Sequence, residues 1–189
     1  MNNSVYQEDD LGEAIPFIYF NRQSNGKKLG NLIDVDVAFA VNEDAVSFLK
    51  SLQGCISVVS IVGKYRKGKS YIMNKLVSPN GRGCFGIGHT TNACTQGLWI
   101  RNRAQKVRNR LGQDINVVYV DTEGLADTQK DRNNDVKIFT FAVLLSSMLL
   151  FNVQGVIAKD EIDLLSLVTK MTQRIRISSK DCHAEPAYV

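Results

Sequence analysis

Eight consecutive residues carry most of the chemistry that this sequence can do. Gly63-Lys64-Tyr65-Arg66-Lys67-Gly68-Lys69-Ser70 matches G-x-x-x-x-G-K-[ST] at every fixed position. Gly63 and Gly68 permit backbone torsions and close approach that a Cβ would forbid. The loop amides and the positive end of a following helix can then face a chain of phosphates. Lys69 can reach the β- and γ-phosphates, and the Ser70 hydroxyl can ligate Mg²⁺. A second candidate, Asp121-Thr122-Glu123-Gly124, lies about 50 residues downstream and follows an apolar run. An aspartate there can hold the metal directly or through water, and Gly124 can bring its amide to a γ-phosphate. On its own, D-x-x-G is usually only a turn. Between the two motifs runs Thr90-Thr91-Asn92-Ala93-Cys94-Thr95-Gln96-Gly97, where a threonine could close on the metal. Thr95 is the first choice, although spacing does not separate it from Thr90 and Thr91.

These residues need particular elements to position them. Ile56, Val58, Val59, Ile61 and Val62 form a nearly continuous β-branched run, which predicts a strand buried on both faces. Tyr71, Ile72, Met73 and Leu76 recur at helical spacing, so the first motif joins a strand to a helix. Ile115 to Val120 predicts a second buried strand leading to Asp121, and Met148 to Val153 a third. In an open α/β sheet, ligands gather at the carboxyl ends of such strands, so Asp121 is expected beside Ser70. A helix through Ile138, Phe139, Ala142, Val143 and Leu145, broken by Ser146-Ser147, joins the second and third strands. A last helix is expected from about Lys159 to Ile177. The alternation of strands and helices predicts a doubly wound α/β fold of the P-loop NTPase kind, a sheet with helices on both faces.

Upstream, residues 1–13 read as a polar, flexible terminus. Ile15-Pro16-Phe17-Ile18-Tyr19-Phe20 predicts a strand, with Pro16 arguing for a sheet edge. An Asn25-Gly26 turn and a strand over Leu32 to Val37 would complete a hairpin. Asn42 is a candidate N-cap for a helix with Ala45, Phe48, Leu49 and Leu52 inward and Gly54 at its end. Ser78 to Gly88, with four glycines, predicts a mobile loop before a strand at Leu98-Trp99-Ile100.

Bulk properties narrow the class. At 189 residues and a net charge of +4, the chain suits one domain, and its basicity is too mild to imply nucleic acid. Cys55, Cys84, Cys94 and Cys182 form no C-x-x-C pair, which fits free thiols in a reducing cytosol. The apolar run Ile138 to Phe151 is too short to span a membrane. Arg101, Arg103, Lys106, Arg108 and Arg110 could face an anion or a membrane. A solvated hairpin tip ending at Leu111-Gly112-Gln113-Asp114 is the weightier reading, because no aromatic is interleaved.

Together, GKYRKGKSYIMNKL, TQGLWI, VVYVDTEGLADTQK and FAVLLSSMLLFN resemble the guanylate-binding proteins, large GTPases of the dynamin superfamily. The likeness runs from about Pro16 to Ile177. It implies a G domain over 14–177 with a short tail over 178–189, and GTP and Mg²⁺ as ligands of a GTPase yielding GDP and phosphate. By this resemblance, Arg66 is an internal arginine finger, Thr95 the switch threonine, and Asp121 and Glu123 an acidic pair around the γ-phosphate. Ile87, Gly88, His89, Thr122 and Leu125 border the nucleotide. The family further implies pairing through G domains as homo- or heterodimers, a role in immunity, and a cytoplasmic location reaching vesicle membranes.

Two features depart from that pattern. Ala93 stands where the family usually has a serine that helps place water, and no Arg-Asp pair for reading guanine occurs anywhere in the sequence. A truncated G domain is therefore expected, incomplete on its C-terminal side. Without such a pair, GTP should be preferred to ATP by less than about tenfold. Two further readings stay open: a non-catalytic fragment that regulates full-length relatives by G-domain pairing, and a P-loop ATPase.

Overall fold

Three apolar runs do form the parallel half of one sheet. The structure, a computed structural model, describes residues 12–23, 28–29, 32–33, 36–79, 83–87, 97–122, 124, 132–157 and 159–174. The chain order is β1 (Ala14–Gln23), β2 (Lys28–Leu29), β3 (Leu32–Ile33), β4 (Asp36–Val41), α1 (Glu43–Ser51), β5 (Cys55–Gly63) and α2 (Lys69–Val77). There follow β6 (Leu98–Arg101), β7 (Gln105–Arg108), β8 (Asp114–Thr122), α3 (Arg132–Leu145), β9 (Met148–Asn152) and α4 (Lys159–Arg174). The main sheet runs β4-β1-β6-β8-β5-β9, with β7 also paired to β8. β8, β5 and β9 are mutually parallel, whereas β4, β1, β6 and β7 join antiparallel. Four of the seven strands thus join antiparallel beside the three parallel ones, within the expected α/β sheet.

The sheet has a core on each face. On one, Ala45 of α1 and Ile138 of α3 pack with Phe17, Ile18, Leu98, Ile100, Val118 and Val120. On the other, Met73 and Val77 of α2 meet Ile61, Phe85 and Tyr119. Alternation along β8 divides Val118 and Val120 from Tyr119, as a strand buried on both faces requires. Contacts divide the chain into two compact units, Met1–Gln154 and Gly155–Val189, and α4 belongs to the second. No helix among the described residues is long and apolar enough to cross a membrane.

Several local readings are corrected. β1 is not an edge strand, since β4 and β6 flank it. Pro16 is tolerated because pairing with β4 begins only at Ile18, so Pro16 itself has a neighbour on one side alone. Phe17 is the extra residue of a bulge there, which lets Phe17 and Ile18 both enter the same core. The strand expected over Leu32 to Val37 is divided into β3, which closes a small ladder with β2, and β4. Asn42 caps α1 by accepting the Asp44 amide at 2.8 Å, but the helix ends at Ser51, ahead of Gly54.

The inner face of α2 is Lys69, Met73, Asn74 and Val77, while Tyr71, Ile72 and Leu76 are exposed. Of the four apolar residues at helical spacing only Met73 faces inward, and two polar residues hold inner positions. One of them explains the next correction. Asn74 donates to the Phe85 carbonyl and accepts the Phe85 amide, both at 2.8 Å and buried. Residues 83–87 are thus clasped to α2, and the mobile loop predicted there does not hold for them. Finally, Arg101 is buried on β6 and so leaves the basic group, whereas the solvated hairpin itself is present: exposed Gln105–Arg108 pairs as β7 with β8.

Candidate functional site

The G-x-x-x-x-G-K-S loop leaves the carboxyl end of β5 at Gly63 and enters α2 at Lys69. Gly68 caps the helix with φ of 78°, a left-handed conformation that explains the glycine. Among the described residues no side chain caps this helix, and no acid belongs to its own first turn. Lys69 is buried, and its ammonium donates to the Lys64 carbonyl at 3.1 Å, spanning the loop from one side to the other. Arg66 and Lys67 are exposed. Arg66 is the only described non-glycine residue with positive φ, 58°, a strained backbone of about 1–2 kcal/mol. Its guanidinium lies 5.8 Å from the centre of the Tyr65 ring.

The second motif arrives beside the first. Asp121, next to last in β8, is fully buried, and the Ser70 hydroxyl donates to its Oδ2 at 2.6 Å across 51 residues of sequence. Parallel pairing of Ile61 with Asp121 brings this about, because it aligns the carboxyl ends of β5 and β8. Gly124 lies against the loop so closely that a Cβ would stand 2.3 Å from the Tyr65 Cα. Thr122 follows Asp121 on the same strand. Its hydroxyl donates to the Ile61 carbonyl at 2.7 Å, buried, which ties β8 to β5. Ile87 closes the clasped segment and is half exposed. Gly88, His89, Thr95, Glu123 and Leu125 lie outside the described residues, as do Thr90, Thr91 and Ala93.

Ser70 and Asp121 together offer a hydroxyl and a carboxylate oxygen at one point, hard donors of the kind that Mg²⁺ selects. The α2 side of the sheet also holds Cys84, Arg101 and Tyr119. Burial pushes the Cys84 thiol above its ordinary value, and the Arg101 charge draws it partly back. Burial lowers the Arg101 guanidinium and raises the Tyr119 phenol, whose hydroxyl donates to Gln105 at 2.8 Å.

Sequence reasoning missed Asn152. It ends β9, pairs in register with Gly63, and donates from Nδ2 to the Lys67 carbonyl at 2.6 Å. The one available signal was a polar residue closing the apolar run Met148-Leu149-Leu150-Phe151.

A strand, a glycine-lysine loop, a helix and an aspartate at the end of the neighbouring strand define the P-loop NTPase fold. Comparison with known families places the chain more closely. The family description "Guanylate-binding protein, N-terminal domain" matches residues 36–186, and the chain belongs to the guanylate-binding protein family. It is similar to guanylate-binding protein 3 of Homo sapiens, with 43% identity over 139 residues, 73% of this chain and 22% of that protein. Guanylate-binding protein 5 of Mus musculus is 40% identical over 136 residues, covering 71% of the chain and 22% of the relative. Guanylate-binding protein 2 of Homo sapiens is 40% identical over 141 residues, 74% and 23% respectively. The chain thus spans a little over a fifth of the length of these curated relatives.

Proposed function

We propose that this chain binds GTP at the loop between β5 and α2 and hydrolyses it to GDP and phosphate. The observation that carries the reading is the 2.6 Å contact between Ser70 and Asp121 at the mouth of the loop. In this reading the amides of Gly63 to Ser70 cradle the phosphates, and Lys69 places its charge on the β- and γ-oxygens. Gly124 brings its amide to the γ-phosphate. Ser70, Asp121 and, by family resemblance, Thr95 would hold Mg²⁺, which when bound neutralises charge on the β- and γ-phosphates.

Arg66 is assigned to stabilise charge as the bond from the γ-phosphorus to its bridging oxygen breaks and water adds. It must leave the Tyr65 ring to do so, a contact worth only about 0.5–1 kcal/mol at an exposed site. Glu123 is assigned to the attacking water. Pairing with a second copy or with a longer relative, and a cytoplasmic location reaching vesicle membranes, belong to the same reading. They rest on family membership alone.

Lys69→Ala tests the site. Removing the one lysine buried in the loop should weaken binding of a fluorescent GTP analogue by about a hundredfold or more, the effect of truncating a desolvated charge partner. An affinity equal to that of the unmodified chain would refute the phosphate site. Turnover measured on the same preparation separates hydrolysis from binding.

A further inference from the structure

One residue outside the loop, Asn152, meets it at two points, Gly63 and Lys67. The Asn152 backbone carbonyl stands where a Cβ on Gly63 would be, 2.3 Å from that position, so β9 lies directly against the start of the loop. The Asn152 side chain reaches the other end and donates to the Lys67 carbonyl at 2.6 Å. Between these two points the backbone passes through Arg66 at φ of 58°, a conformation that must be imposed on a residue with a side chain.

We infer that Asn152 is a positioning residue for the phosphate loop, acting through the peptide between Lys67 and Gly68. A trans peptide is planar and directs its carbonyl and its N–H to opposite sides. With the Lys67 carbonyl turned onto Asn152, the Gly68 N–H points away from β9. Gly68 is also the N-cap of α2, where an outward amide adds to the positive helix end. Asn suits the place because its amide donates without adding charge near a polyanion. Aspartate would set a negative oxygen against a carbonyl, and lysine would add a mobile point charge. Asn152 touches no reacting atom in this account, and its effect is to fix which way one amide faces.

The inference rests on the proposed GTP site, and its test keeps the two apart. Asn152→Ala removes the donor, and Asn152→Leu removes it while keeping the same branched heavy-atom skeleton. GDP and GTP affinity, thermal melting and the backbone amide resonance of Gly68 would be followed in both variants and in the unmodified chain. One lost hydrogen bond predicts about a three- to tenfold weaker affinity for both nucleotides. Melting without ligand should stay within about 2 °C, well below the shift from losing a core contact. The displacement of the Gly68 amide resonance on adding GDP should shrink in both variants. Unchanged affinity and an unchanged Gly68 response would overturn the inference. Lower melting with unaltered affinity would also overturn it, leaving Asn152 a structural brace. If the unmodified chain binds neither nucleotide, the GTP reading falls and this inference falls with it.

Discussion

Arg66 is held in a conformation that its neighbours impose, and its side chain rests on Tyr65. Arg66→Ala should leave GTP affinity nearly unchanged and slow hydrolysis by about 10³-fold, the low end for an arginine finger. Single-turnover rates decide this, and an unaltered rate would make Arg66 a surface cation. Gly124→Ala should act differently. The added methyl would meet the Tyr65 backbone at 2.3 Å, so one of the two motifs must shift. GTP binding should weaken by about tenfold or more while GDP, which needs no γ-phosphate contact, is affected less. Titration with both nucleotides checks the difference.

Cys84 and Tyr119 give a pH prediction. Their folded pKa values are raised, chiefly by burial, from ordinary values of 9.0 and 10.0. The folded state therefore holds these protons more tightly than the unfolded chain does. Stability from this source is intact below the ordinary values and is lost as pH rises through the folded ones. Urea unfolding between about pH 8 and 11 should show falling stability, with a shallower slope in Cys84→Ser.

Among elements, α2 shows why apolar spacing misled. Lys69 and Asn74 occupy inner positions because one spans the phosphate loop and the other clasps Phe85. Periodicity scores both as outward residues. Neither polar contact can be foreseen without knowing which segment packs on α2. Motif residues were legible for the opposite reason: G-x-x-x-x-G-K-S and D-x-x-G carry their geometry in their own spacing. Asn74→Ala strands the buried amide and carbonyl of Phe85 and should cost about 2–4 kcal/mol of stability. Denaturant unfolding measures the loss. Faster exchange of the Phe85 amide would show that the 83–87 segment is released first.

On the scale of the whole molecule, the parallel strands β8, β5 and β9 were readable as continuous β-branched or apolar runs. Their order was not, since register depends on pairing between residues about 60 apart. The antiparallel half was read least well. Pro16 suggests an edge to any local rule, and only the bulge at Phe17 and the late start of β4 pairing reconcile it with an inner strand. β7 was legible only as part of a solvated hairpin, without bounds, because all four of its residues are exposed and it leaves no apolar alternation. Where chemistry dictated residue type, as at Ser70 and Asp121, sequence placed the partners correctly across 51 positions.

The bond from Asn152 to Lys67 spans 85 positions of chain. A ribosome adding about 5–20 residues per second needs roughly four to seventeen seconds to make that stretch. Throughout that interval the nascent chain carries a complete glycine-lysine loop whose last brace has not been synthesised. Loop closure over such a distance is slow and draws no reward until the far strand docks. If GTP binds at this loop as proposed, it finds the Asn152 contact in place only late in translation, after β9 has emerged. A stall before that codon leaves the loop with its Ser70–Asp121 contact but without the one from Asn152.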